Sequence, residues 1–437
     1  MPASIIPTPA GNRIKALDII RGVALCGILL MNIPGFGLFH AYDDISNDGG
    51  TTGWNLKVWW INTMLFEGTM RGLFSMLFGA GILVFTSRTV NGNSTMVTDL
   101  FFRRLLWMVL FGIIHCYLLL WNGEILYAYG IVGMFAFSFR HLQPKKQILA
   151  AVIFLTLSTV WNTYDYYQHK HMYEKATAST IKKNNGDSLT KEENKAIEKW
   201  EGFVEERKPG AEKKAEEISA MHKSYWSIVL HKAGENQFMQ TVFLYRYNFF
   251  DILAMMLMGM AFFKLRIFRA ERSKRFYLLM ALLGYGIGLP VNYLETHTIQ
   301  SGTFSILAID KSYITYDLGR VANTCGHIAL IMLFIQSGWP RFLQNALAAV
   351  GQMAFTNYIM QTLICNFIFL GYGLSLYGKL QRYELYYIVA GIWILQLIIS
   401  PLWLKYFQYG PLEWLWRSLT YWAKQPFKKQ VQPKEAA

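Results

Sequence analysis

Two kinds of spacing in this sequence bear on chemistry. In LDIIRGVALCGILLMNI, residues 17–33, Asp18 and Arg21 stand three apart and Asn32 follows Arg21 by eleven. On a helix these intervals bring all three to one face, and Asp18 can pair with Arg21. In FEGTMRGLFSMLFGAG, residues 66–81, Glu67 and Arg71 are four apart, and the spacing predicts a second ion pair. FGIIHCYLLLWNGEILYAYG adds His115 and Glu124. A neutral histidine beside a carboxylate is a general base for a hydroxyl or amine, and an asparagine or arginine stabilises a developing oxyanion. The same inventory suits a transporter, in which His and Glu relay protons and Arg binds an anion. Residue types alone do not separate the two.

What must position these groups is a set of membrane spans. The chain has 437 residues, 53% of them hydrophobic and 16% charged, well below the charge of a soluble domain. Apolar blocks near 15–38, 62–87, 104–121, 124–140, 146–163, 244–263, 276–294, 318–336, 342–371 and 384–404 predict about ten spans. The expected fold class is all-α, a polytopic transmembrane helical bundle. With the N-terminus inside, short loops on the inner side carry 21 Lys and Arg against 4 on the outer side. That bias places both termini in the cytoplasm. It also accounts for the net charge of +14 as a topology signal, so no nucleic-acid partner is expected. Helix rise then sets depth: Asn32 lies roughly 25 Å above Lys15, Arg71 roughly 25 Å above Arg88, and His115 roughly 16 Å above Arg104. Asn32, Glu67, Arg71, His115 and Glu124 therefore gather in the outer half of the membrane. Ionisable groups are costly there and are functional candidates by default.

Four parts are expected: an N-terminal membrane half (1–165), a polar extracytoplasmic insertion (166–240), a C-terminal membrane half (241–408), and an interfacial helix with a basic tail (409–437). The insertion is nearly charge-balanced from 170 to 223, with 12 Lys and Arg against 11 Asp and Glu. Thr190 and Glu193 form a capping box that starts a helix at Lys191, Pro209-Gly210 ends it, and a second helix follows from Ala211. In the C-terminal half, GRVANTCGH (319–327) and VGQMAFTNYIMQT (350–362) carry Arg320, His327, Thr356, Asn357, Tyr358 and Gln361. Their expected role is hydrogen bonding between helices. The four cysteines all lie in apolar spans and read as core residues, and no His/Cys set has metal-ligand spacing. No Walker loop, dinucleotide fingerprint or HExxH motif is present.

LDIIRGVALCGILLMNI, RGLFSMLFGAG, WNGEILYAYGIVG, MAFTNYIMQTLI and GPLEWLWR occur in this order, and the set resembles the YeiB-like family of bacterial inner-membrane proteins, whose function is unassigned. The Asp-x-x-Arg-Gly of the first span, with a polar residue eleven after the arginine, is more distantly similar to the transmembrane acyltransferase superfamily. That group includes bacterial O-acyltransferases and the heparan-glucosaminide acetyltransferase. The resemblance implies acyl-CoA as a cytosolic donor and a small-molecule, glycan or lipid acceptor at the outer face. Arg21 and Asp18 would belong to the donor site and Asn32 to the transfer site. One departure is that His40 follows Asn32 by eight, short of the family's working histidine, so His115 is the expected base, polarised by Glu124 or Glu67. The alternative is a proton-coupled transporter of a small anionic or amphipathic compound. The lipid bilayer is an expected partner, and a homo-oligomer is compatible with the sequence.

Overall fold

The computed structural model describes residues 14–42, 45, 50–87 and 94–429. Among these the chain is all-α apart from one bridge between Phe407 and Lys428. In the N-terminal part run α1 (Lys15–Gly37), α2 (Gly53–Leu65), α3 (Thr69–Thr86), α4 (Ser94–Tyr117), α5 (Leu126–Ala136) and α6 (Pro144–Asn184). The polar insertion holds α7 (Lys191–Arg207), α8 (Ala211–Met221) and α9 (Tyr225–Phe238). A π-helical stretch, Met239–Asn248, leads into α10 (Phe249–Lys264). There follow α11 (Lys274–Ser301), α12 (Ile306–Ser312), α13 (Tyr316–Ser337), α14 (Arg341–Gln352), α15 (Ala354–Phe369), α16 (Leu385–Tyr406) and α17 (Pro411–Tyr421).

Seven helical stretches among the described residues are long and apolar enough to cross a membrane: 15–37, 53–86, 144–184, 225–264, 274–301, 316–337 and 385–406. The protein is a polytopic helical membrane protein, with fewer full-length spans than the ten apolar blocks predict. The block at 124–140 forms a shorter apolar helix, Leu126–Phe139. The block at 342–371 is divided at Met353 between α14 and α15, and 104–121 falls on the 24-residue α4. Hydropathy reads composition, and these breaks are set by backbone geometry that composition does not encode. The expected boundary at 165 lies inside α6, which continues unbroken from the apolar segment into the insertion. Within the insertion the local signals hold. Thr190 and Glu193 make the reciprocal cap of α7, and α8 starts at Ala211. Lys182, at 2.6 Å, and Thr190 hold the Glu193 carboxyl down, at about 2.

The centre of the bundle is α10, buried on every face from Asp251 to Phe262, as expected for a helix that is apolar all round. Two glycines let α3 lie directly on it. A Cβ on Gly79 would sit 1.9 Å from the Met256 carbonyl oxygen, and one on Gly259 would sit 1.9 Å from that of Met76. This crossing sets the N-terminal ends of α3 and α10 side by side, which positions the site described next. Gly259→Ala should therefore force the two backbones apart at a cost of about 1–3 kcal/mol. Gly286→Ala on α11, where an added Cβ meets nothing within 4 Å, should be neutral or slightly stabilising. Melting temperatures of the two variants in detergent check the contrast, and equal values would remove the close-packing argument.

Candidate functional site

The turn between α2 and α3 builds the first half of the site. Gly68 sits at φ +66°, so the helix breaks there and restarts at Thr69. Glu67 and Arg71 thus do not share one continuous helix, and the expected pair between them does not form. Arg71 instead donates from Nη2 to Asp251 Oδ2 (3.0 Å) and from Nη1 to Asn248 Oδ1 (2.9 Å). Asp251 also contacts Arg320 closely through Oδ1, and Arg320 donates to Asp317 Oδ1 at 2.7 Å. Arg320 is 1% exposed. Two guanidiniums and two carboxylates thus form one buried network at the N-terminal ends of α3, α10 and α13, where each ion offsets the desolvation cost of another. Arg71 Nε and the Nε and Nη1 of Arg320 have no hydrogen-bond partner.

Tyr129 of α5 extends the network. Its hydroxyl lies 2.6 Å from Ser75 Oγ and donates to the Arg71 carbonyl at 3.3 Å. The start of the same helix carries Glu124, whose carboxylate accepts from the backbone N–H groups of Leu126 and Tyr127, the latter at 2.9 Å. Glu124 is therefore a helix cap as well as a charge. His115 Nδ1 lies 4.0 Å from Glu124 Oε1, too long for a hydrogen bond but within electrostatic reach. Both side chains are 1% exposed or less. His115 Nε2 lies 2.8 Å from Thr362 Oγ1 of α15, and the ring meets Tyr358 edge-on at 4.9 Å. His115 Nδ1, the Tyr358 hydroxyl and Trp121 Nε1 are all buried without a hydrogen-bond partner. Trp121 stacks on Phe36 of α1 at 3.8 Å.

Asn32 lies one turn before Phe36 on α1. Among the described residues no hydrogen bond joins its side chain to His115, Glu124 or Arg71, so the expected cluster is two adjacent sites. Asp18 and Arg21 do pair, at 3.1 Å, and Arg21 also donates to the Gly351 carbonyl at 3.3 Å beside the α14–α15 break. They stand at the opposite end of α1, Arg21 about 16 Å from the level of Asn32. Glu67 lines a separate cavity of about 50 Å³ with Glu295, Arg320 and Tyr316.

The other intramembrane candidates are structural. His327 uses both ring nitrogens, to the Tyr285 hydroxyl (2.6 Å) and the Leu65 carbonyl (2.7 Å), while Asn292 and Asn323 donate to the Met64 carbonyl. Together they satisfy the end of α2 where Gly68 breaks the helix. Asn357 bonds Ser400 and Gln361 bonds Gln396, tying α15 to α16. Glu413 of α17 accepts from the Phe355 and Thr356 N–H groups at the start of α15, so this helix is docked as well as interfacial. Sequence reasoning missed Asp251, Asp317, Glu295, Tyr129 and Trp121. Asp251 carried a usable signal, as the one carboxylate in the apolar run 249–263.

Fold and site together define a polytopic helical membrane protein with a buried ion-pair network beside a histidine–carboxylate pair. Residues 262–423 match the family model described as a protein of unknown function (DUF418). The chain is 28% identical over 443 residues to the uncharacterized protein YxaH of Bacillus subtilis (strain 168), covering 98% of this chain and 99% of the relative. It is 27% identical over 430 residues to the uncharacterized protein YeiB of Escherichia coli (strain K12), covering 95% and 98%. The chain is a distant homologue of both over nearly its full length. No solved structure matches it.

Proposed function

We propose that this protein is a bacterial inner-membrane acyltransferase, moving an acyl group from cytosolic acyl-CoA to a hydroxyl or amine of a small-molecule, glycan or lipid acceptor at the outer face. The observation that supports this reading is the enclosed His115–Glu124 pair, with Nδ1 unpartnered among two further orphaned polar groups. With its Nε2–H donated to Thr362, His115 keeps an open lone pair on Nδ1. That nitrogen takes the acceptor's proton as its oxygen or nitrogen attacks the thioester carbonyl. The tetrahedral adduct collapses, the C–S bond breaks, and the thiolate leaves with the proton from His115. Glu124 stabilises the transient imidazolium. Trp121 Nε1 and the Tyr358 hydroxyl, with Asn32 nearby, are the donors for the oxyanion. Arg71 commits its Nη donors to Asn248 and Asp251 and acts as scaffold.

For the donor, Arg21 spends Nη1 on Asp18 and Gly351 and keeps its other nitrogens, with its side chain 32% exposed. That fits one contact to a CoA phosphate. Acetyl-CoA titrated into detergent-purified protein should raise the melting temperature saturably and release free CoA once an acceptor is present. Arg21→Ala should weaken the apparent affinity about tenfold, the worth of one charge-assisted contact. No shift with acetyl-CoA, longer acyl-CoA or free CoA would sink the reading. The buried Arg71–Asp251–Arg320–Asp317 network favours a second reading, proton-coupled transport. Proton-gradient-dependent flux into liposomes lacking acyl-CoA would select it.

A further inference from the structure

The cavity beside the ion-pair network has an electrostatic imbalance that the acyl-transfer reading does not use. Its walls include Glu67 and Glu295, the rings of Tyr42, Trp59 and Tyr316, and Arg320. The positive charges of Arg71 and Arg320 are met by Asp251 and Asp317. Glu67 lies in the field of Arg71 and of the buried Arg382, but among the described residues neither it nor Glu295 forms an ion pair. Thr315 donates to Glu295 Oε1 at 2.6 Å, leaving Oε2 open. Glu295 is 8% exposed. A buried carboxylate with an open oxygen and no ion pair is satisfied either by taking up a proton or by a cation that enters the cavity. Aromatic faces around it add cation–π attraction. Arg320 contributes a complementary need, since its buried Nε and Nη1 lack an acceptor. Among the described residues no group of three His, Cys, Asp or Glu could hold a metal ion. A volume of about 50 Å³ holds a few water-sized groups, the size of a two-carbon amine.

We propose that this cavity binds a small primary ammonium carrying a neighbouring oxygen, an ethanolamine-type head. Its N–H donors go to Glu67 and Glu295, its charge sits among Tyr42, Trp59 and Tyr316, and its oxygen accepts from Arg320. The site stands apart from His115 and does not depend on acyl transfer.

The chemistry occurs both as free ethanolamine and as a phosphatidylethanolamine headgroup, and the two sources are separable. Free ethanolamine titrated calorimetrically into detergent-purified protein should bind saturably, where ethylene glycol, its uncharged analogue, should not. Glu295→Gln and Glu67→Gln should each weaken binding about tenfold or more, since each removes one charged acceptor of near-identical shape. If free ethanolamine is silent, nanodiscs are compared. A melting temperature raised by phosphatidylethanolamine over phosphatidylglycerol, and raised less in both variants, assigns the site to the lipid head. Should Glu295→Gln fail to fold, the half-buried Glu67→Gln carries the test alone. Silence in both arms, equal binding of ethylene glycol, or responses unchanged in the variants would overturn the proposal. Acetyl-CoA binding by the same variants should stay as in the native protein, so failure here and failure of the donor site are read independently.

Discussion

Asp251→Ala is expected to lower the yield of folded, monodisperse protein more than any other single change at the site. Among the described residues Asp251 is the one carboxylate that meets both Arg71 and Arg320. Removing it leaves Arg320, 1% exposed, with Asp317 alone and leaves Arg71 with Asn248. Stranding a buried charge in this way costs about 3–5 kcal/mol, a large share of a total stability of about 5–15 kcal/mol. The comparison that isolates the charge is a double change, Asp251→Met with Arg320→Met. Replacing both partners by apolar side chains of similar volume removes the stranded guanidinium, and buried pairs exchanged this way often lose little stability. The double variant should therefore melt above Asp251→Ala. Asp18→Ala should cost less than Asp251→Ala, because its partner Arg21 has a side chain 32% exposed and can turn to water when the carboxylate is gone. Melting temperature and size-exclusion profile in detergent read all three, and an Asp251→Ala protein that melts like the native one would refute the network's structural role.

The same residue shows where sequence reading succeeds and where it stops. The Asp18–Arg21 pair, the Thr190–Glu193 cap and the break at Pro209-Gly210 are local: each follows from a spacing of a few residues, and each is present. Arg71 has two possible partners, one four residues away and one 180 residues away, and it takes the distant one. Two facts decide this. Gly68 adopts a left-handed conformation that ends the helical register between Glu67 and Arg71, and the Gly79–Gly259 crossing brings Asp251 within reach. Both glycines are visible in the sequence, but which helices cross at them is a property of the packed bundle. His115 near the end of α4 and Glu124 just before α5 come close because one short connection joins those helices, whereas the sequence left Glu124 and Glu67 both open as the partner. Asn32 shares depth with them, and depth alone did not place its side chain in contact. Trp121 carried no signal, because a tryptophan near a membrane interface is ordinary until its Nε1 proves to be buried and unpaired.

The second large effect is catalytic and rests on the acyl-transfer reading. His115→Gln keeps a side chain of similar reach, whose amide can still bond Thr362, but it cannot take up a proton. The rate of acyl transfer should fall about 100- to 10,000-fold, the usual worth of a positioned general base, while the melting temperature stays close to the native value. His115→Ala is the poorer test, because it also removes the packing on Tyr358. Glu124 requires the same care. Glu124→Ala would uncap α5 by stripping the acceptor from Leu126 and Tyr127, so a loss of activity would say nothing about chemistry. Glu124→Gln retains one of the two cap acceptors and removes the charge that stabilises the imidazolium, so its melting temperature is read beside its activity. Its expected loss is smaller than that of His115→Gln, and it should fall on kcat with KM little changed, because the charge acts only once the proton has moved. A folded His115→Gln protein with full transfer activity would end the case for His115 as base. Equal losses in His115→Gln and Glu124→Gln, with unchanged melting, would mean instead that the pair acts as one unit from which neither member can be spared.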